Sequence, residues 1–172
     1  DNYPYPKFNE WMYNATDMLN CHSHMTYTML KEKFSNKTNF VPHTLPPDLF
    51  FPLTEKEKEN QKLSLLGVKR KDHFVAIWVN RNAKRKRPND VLESWKIFLD
   101  NLSEAQGHRN ATLIMHTDPN DHEGPNLLAV AENLKLENNV IFSTDRIEFE
   151  QMNMLYNVVD FTLNIAYAEG FG

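Results

Sequence analysis

From residue 73 onward the chain alternates between short, almost wholly apolar runs and longer amphipathic ones, and no other feature constrains its fold as much. The apolar runs are HFVAIWV (73–79), ATLIMH (111–116), NVIFS (139–143) and DFTLNI (160–165). Between them lie NDVLESWKIFLDNL (89–102), PNLLAVAENL (125–134) and EFEQMNMLYNV (148–158), with apolar residues at helical spacing. A strand with one wet face alternates polar and apolar residues. Strands that are apolar throughout must be covered on both faces, the condition of a parallel sheet crossed by helices. The sequence therefore predicts an α/β fold, a doubly wound parallel sheet of four strands with right-handed crossovers.

Upstream the pattern is less regular. Residues 8–33 carry Phe8, Trp11, Met12, Met18 and Leu19 at mixed helical spacings and read as helical. A short extended segment at Asn39-Phe40-Val41 runs into PHTLPPDLFFPL. Pro42, Pro46 and Pro47 forbid regular structure there and predict a rigid connector. TEKEKENQKLSLLG follows, with Thr54 and Glu57 as a capping box and Gly67 as a stop, so a helix is expected over 55–66.

Composition narrows the function classes. With 41% hydrophobic and 24% charged residues the chain is globular rather than disordered. A net charge of −4 gives no global attraction to nucleic acid or anionic membranes. No apolar run reaches the length of a membrane span. DNYPYPKFNEWMYN lacks the basic and apolar regions of a signal peptide. Cys21 is the sole cysteine, which points to a reducing compartment and a cytoplasmic location. The sequons at Asn14, Asn36, Asn101 and Asn110 arise readily by chance in so Asn-rich a chain.

In a doubly wound sheet, ligands sit beyond the carboxyl ends of the strands. Those ends are Asn80-Arg81, His116-Thr117-Asp118, Ser143-Thr144-Asp145 and Ala168-Glu169-Gly170. The first opens NRNAKRKRPND, with five cations (Arg81, Lys84, Arg85, Lys86 and Arg87) just before a helix. Cations are unfavourable at a helix N-terminus, so the cluster reads as a diphosphate site rather than a solvated charge run. At the last end, EGFG offers a carboxylate and open amides to sugar hydroxyls, against the plainer reading of a capped turn. CHSH (21–24) lacks the partners that would complete a metal site, and no metal is expected. No G-x-G-x-x-G, P-loop, nucleophile elbow or H-E-x-x-H motif is present.

Together these residues resemble the donor-binding half of a retaining GT-B glycosyltransferase, in the large family four (group 1), from about Val41 to Gly172. VPHTLPPDLFFPL is similar to the family's interdomain connector, and WVNRNAKRKR to its diphosphate loop. LYNVVDFTLNIAYAEGFG is similar to its "LY..AD..V.PS..EGFG" and is the most specific match. The resemblance implies residues 1–52 as the tail of an N-terminal domain with its connector, and 53–172 as an incomplete Rossmann-like nucleotide-sugar domain, part of the C-terminal GT-B domain. It also implies that Arg81 and Lys86 hold the donor diphosphate. By the same resemblance Glu169 is expected as the catalytic carboxylate that orients the sugar, with Gly170, Phe171 and Gly172 binding its hydroxyls.

The second Glu of the family's E-x7-E motif would fall eight residues past Glu169, so the chain is expected to be a fragment, inactive alone. Asn80, Arg87 and Thr44 depart from the usual residues, as does the turn at 116–119, marking a divergent, viral or environmental, branch. The implied partners are a nucleotide-diphosphate sugar donor and an unknown glycan, lipid or protein acceptor. No cofactor or nucleic acid is expected, and the full-length protein could be membrane-peripheral. The uncovered fourth strand predicts a dimer. Two other readings stay open: a non-catalytic nucleotide-binding module, and an interaction domain using the 84–87 cluster.

Overall fold

Residues 7–169 are described by a computed structural model. They divide into two units, one reaching Leu45 and taking in Glu169, the other running from Pro46 to Ala168.

In the first unit the helix expected over 8–33 is corrected. It is two short helices, α1 (Glu10–Ala15) and α2 (His24–Lys31), on either side of a strand, β1 (Leu19–Cys21). β1 pairs in parallel with β2 (Thr38–Phe40). The apolar residues of this stretch do not share one helical stripe. Phe8, Trp11 and Met18 stay exposed, while Cys21, Met29, Leu30 and Phe34 bury together. The Lys37 ammonium donates to the carbonyls of Tyr13, Asn14 and Thr16, satisfying acceptors that the end of α1 leaves open.

Residues 42–52, the connector, form neither helix nor strand, and the second unit starts within them at Pro46. Two side-chain amides fasten its end. Phe51 N donates to Asn153 Oδ1 (3.1 Å) and Leu53 N to Asn157 Oδ1 (2.9 Å), while Asn157 Nδ2 donates to Phe51 O (3.0 Å). Helix α3 (Glu55–Leu66) has the expected capping box, with Thr54 N donating to Glu57 Oε2 at 2.8 Å. It ends at Gly67, whose φ of 73° suits a residue without a β-carbon.

Strand and helix then alternate as the periodicity demands: β3 (Phe74–Val79), α4 (Pro88–Gln106), β4 (Ala111–His116), α5 (Leu127–Asn133), β5 (Val140–Ser143), α6 (Phe149–Val158) and β6 (Phe161–Thr162). The sheet order is β5-β4-β3-β6, with every pair parallel. On one face Ala76, Trp78, Leu113 and Met115 pack under α4 and α5, against side chains such as Trp95 and Leu99. On the other, Val75, Ile77 and Ile114 lie under Leu66 of α3 and Leu155 and Val158 of α6. The sheet is doubly covered, and residues next to one another along β3 feed opposite cores.

Asn139 joins three elements below the sheet's amino end. Its Nδ2 donates to the carbonyls of Arg109 (2.9 Å) and Ala111 (2.7 Å), and its own carbonyl accepts from Trp95 Nε1 (3.1 Å).

The strand expected over 160–165 is also corrected. Only Phe161–Thr162 is strand, and Phe161 is 55% exposed rather than buried. Hydrogen bonds to β3 extend slightly further, from Asp160 N to Val75 O and from Leu163 N to Ile77 O (both 2.8 Å). Among the described residues β6 has a neighbouring strand on one side alone.

Candidate functional site

The strand order fixes where a ligand can enter. From β3 the chain steps outward to β4 and β5, then α6 carries it back to β6 on the other side of β3. Chain direction therefore reverses between β3 and β6, and the crevice past their carboxyl ends is the switch point at which such sheets bind ligands. The basic loop occupies the β3 side of it.

Arg81 opens that loop. Lys84–Lys86 make one 3-10 turn, and Arg87 then stands at the N-cap of α4 with a left-handed backbone (φ 55°, ψ 46°). A residue with a β-carbon adopts that conformation at a cost. Its side chain is held at both ends of the guanidinium's reach. Nε donates to Asp90 Oδ2 (2.8 Å), and the guanidinium stacks over the Tyr167 ring at 4.8 Å. The chain leaving β6 is tied to the same loop, since Tyr167 N donates to Arg85 O (2.8 Å) and Arg85 Nη1 to Ala168 O (3.0 Å). Two of the four rim segments named from the sequence thus meet.

Arg81 itself is engaged elsewhere. Its Nε and Nη2 donate to Asp121 Oδ2 and Oδ1 (2.7 and 3.2 Å), and Nη1 donates to Glu123 Oε1 (2.9 Å). Three of its five N–H groups meet carboxylates, one pair in the side-on fork that suits guanidinium best. The bond to Arg81, followed by the one from Glu123 N, holds the Asp121 carboxyl below the usual carboxylate range. Carboxylates close in space thus balance the charge of Arg81 and Arg87.

The loop that carries Asp121 and Glu123 joins β4 to α5 and is clamped to the basic loop beneath the ion pairs. Asn82 is fully buried, and its Nδ2 donates to the carbonyls of Pro119 (3.3 Å) and Pro125 (2.8 Å). Gly124 lies so close that a β-carbon there would overlap Asn82 Oδ1. Sequence reading missed Asp121, Glu123, Asn82 and Gly124. The available signal was the acidic DPNDHEGP stretch, bracketed by prolines and lying at a strand's carboxyl end.

Of the remaining candidates, Lys86 closes the 3-10 turn, half-buried, with its N donating to Ala83 O at 2.9 Å. Glu169 is exposed and groups with the first unit. Gly170, Phe171 and Gly172 lie outside the described residues. In CHSH, Cys21 is buried, which pushes its thiol up, while His22 Nδ1 sits 2.8 Å from Val41 O and its ring stacks on His43 at 4.1 Å. Among the described residues no group of three or more His, Cys, Asp or Glu side chains could hold a metal ion. A cavity of about 360 Å³ opens between α3 and α6, lined by Ser64, Leu65, Ile141 and Met154, and none of residues 81–87 reaches it. No helix among the described residues is long and apolar enough to cross a membrane.

No protein-family model matches the chain, and no curated protein does. Solved structures do. Anabaena Alr3699/HepE in complex with UDP aligns with a TM-score of 0.66 at 15% identity, over 89% of this chain and 39% of that one. A glycosyltransferase from Rickettsia africae aligns at 0.63 and 18% identity, over 96% and 43%. An E. coli trehalose-6-phosphate structure bound with UDP-2-fluoro glucose aligns at 0.62 and 14%, over 96% and 44%. The chain thus spans about two-fifths of the length of these proteins. At such identities the likeness establishes the fold, an α/β parallel sheet that matches half of a GT-B glycosyltransferase.

Proposed function

We propose that this chain is the donor-binding part of a family-four glycosyltransferase, which moves a sugar from a nucleoside diphosphate to a glycan, lipid or protein acceptor with retention and without a metal. The observation that carries the reading is the cationic β3–α4 loop at the switch point of this particular sheet. The same fold is found with UDP in Alr3699/HepE and with UDP-2-fluoro glucose in the E. coli protein. The EGFG tetrapeptide, in the family's order after helix and strand, supports it from sequence.

In this reading Arg81 and Lys86 hold the diphosphate and stabilise the negative charge that grows on it as the glycosidic bond breaks. Preorganised cations aimed at developing charge are the kind of group that supplies much of a site's rate gain. Glu169 orients the donor sugar through its hydroxyls and does not attack it. The amides of Gly170, Phe171 and Gly172 complete that sugar subsite. Residues 1–52 belong to the acceptor-side domain and its connector. The exposed β6 strand is the surface across which two copies would pair.

Calorimetry of the chain with UDP and GDP tests the assignment. Binding that disappears in Arg81→Ala/Lys86→Ala, with the circular dichroism spectrum unchanged, is the expected result. Unaltered affinity in that variant would remove the diphosphate assignment. Binding of single-stranded DNA with a steep salt dependence, and none of nucleotides, would move the loop to nucleic-acid contact instead.

A further inference from the structure

The loop between β4 and α5 meets Arg81 with one carboxylate more than charge balance needs. One guanidinium faces Asp121 in a two-point fork and Glu123 through a third bond, so the trio carries a net negative charge. A diphosphate approaching Arg81 in this arrangement is repelled by that trio, and most of the guanidinium's donors are taken. The loop's grip on the chain does not depend on the ion pairs. Asn82 holds both of its proline carbonyls from below, and Gly124 packs against Asn82 without a side chain between them. The carboxylates can therefore leave Arg81 while the base of the loop stays fastened.

We infer that Asp121 and Glu123 are an internal substitute for the donor's diphosphate, occupying Arg81 until a ligand of at least equal charge displaces them. This rests on the reading of Arg81 as a diphosphate ligand and adds a selectivity rule to it. The Asp121 fork and the single Glu123 bond yield more readily to a diphosphate, which brings more charge and more acceptor oxygens, than to a single phosphate or a carboxylate metabolite. The contact also keeps Arg81 from adventitious anions in the resting protein.

The probes are inorganic pyrophosphate, inorganic phosphate and UDP, titrated into the wild-type chain, Glu123→Gln, Asp121→Asn/Glu123→Gln, and each again with Arg81→Ala. The amides preserve shape and one acceptor oxygen each while removing charge. Glu123→Gln is the safer variant, because among the described residues the Glu123 side chain bonds Arg81 alone, whereas Asp121 Oδ1 also accepts from Glu123 N. The double variant should bind pyrophosphate and UDP about tenfold more tightly than wild type at low salt, with Glu123→Gln in between. Inorganic phosphate, with less charge and fewer acceptor oxygens, should bind more weakly than pyrophosphate in every variant and gain by a similar factor. Every gain should vanish on the Arg81→Ala background.

Equal affinities in wild type and both variants, with Arg81→Ala still weakening UDP, would overturn the substitute and leave the diphosphate reading standing. Weaker binding in the variants would overturn it too, by making the carboxylates positioning residues for Arg81. Absence of binding in every variant, unaltered by Arg81→Ala, would remove both.

Discussion

The body of the sheet and its carboxyl-end rim are built on different physics. In the body, Trp78, Leu99 and Leu113 are sealed from solvent and touch mostly other apolar side chains. Packing of this kind is non-directional and scales with the area removed from water. At the rim, Arg81, Arg87, Asp90, Asp121 and Glu123 are held by a few directed bonds at 2.7–3.2 Å and keep part of their surface in water. The body should therefore carry the stability and the rim the ligand chemistry, with little overlap. Substitutions on either side can break that division.

The largest stability effect belongs to the body. Leu99→Ala leaves a cavity under the sheet and should cost about 2–5 kcal/mol in urea unfolding. A loss well below 1 kcal/mol would mean that the α4 face closes over the gap and is less rigidly packed than its burial implies. Next comes Asn139→Ala, which removes the side-chain bonds to the carbonyls of Arg109 and Ala111 and should cost about 1–3 kcal/mol. It sharpens the comparison, because Asn139 makes directed bonds inside the body and should behave as part of it.

At the rim the expected pattern inverts. Arg81→Ala/Lys86→Ala should leave the thermal midpoint close to wild type and abolish UDP binding in calorimetry. Should the midpoint drop as far as in Leu99→Ala, the ion pairs with Asp121 and Glu123 would be structural and the division would fail.

The smallest effect is a pH dependence from His73, at the opposite edge of the sheet from the rim. Burial first, then Arg70 and Lys62, pushes its imidazole below the ordinary histidine range, and its Nδ1 lies 2.9 Å from Thr112 Oγ1. Between the folded and unfolded values the unfolded chain binds more protons. The contribution to stability is thus complete above about pH 6.5 and is lost as pH falls toward the folded-state value. Urea midpoints at about pH 7.5 and 5.5 should differ more in wild type than in His73→Gln. The same difference in both proteins would assign the dependence to other groups.

Legibility followed the same division. The expected helix over 55–66 is found at Glu55–Leu66, and the strand over 111–116 at Ala111–His116, because the apolar period and a capping residue are written locally in the chain. Residues 8–33 misled because their apolar side chains serve no single face. Cys21 turns inward on a strand only because residues 38–40 lie alongside it.

By itself, then, the sequence determined the alternation of strand and helix, the double coverage of the sheet, the capped start of α3 and the position of five cations at a strand's end. These are properties of neighbours along the chain, where backbone geometry turns spacing into direction. The tertiary structure alone decided that Arg81 faces two carboxylates some forty residues away, that Asn82 and Gly124 lock the loops beneath them, that Asn153 and Asn157 grip the connector, and that β6 stops after two residues. Ion pairs and amide bonds across space depend on which loops the sheet order brings to one edge, and no local period encodes that order.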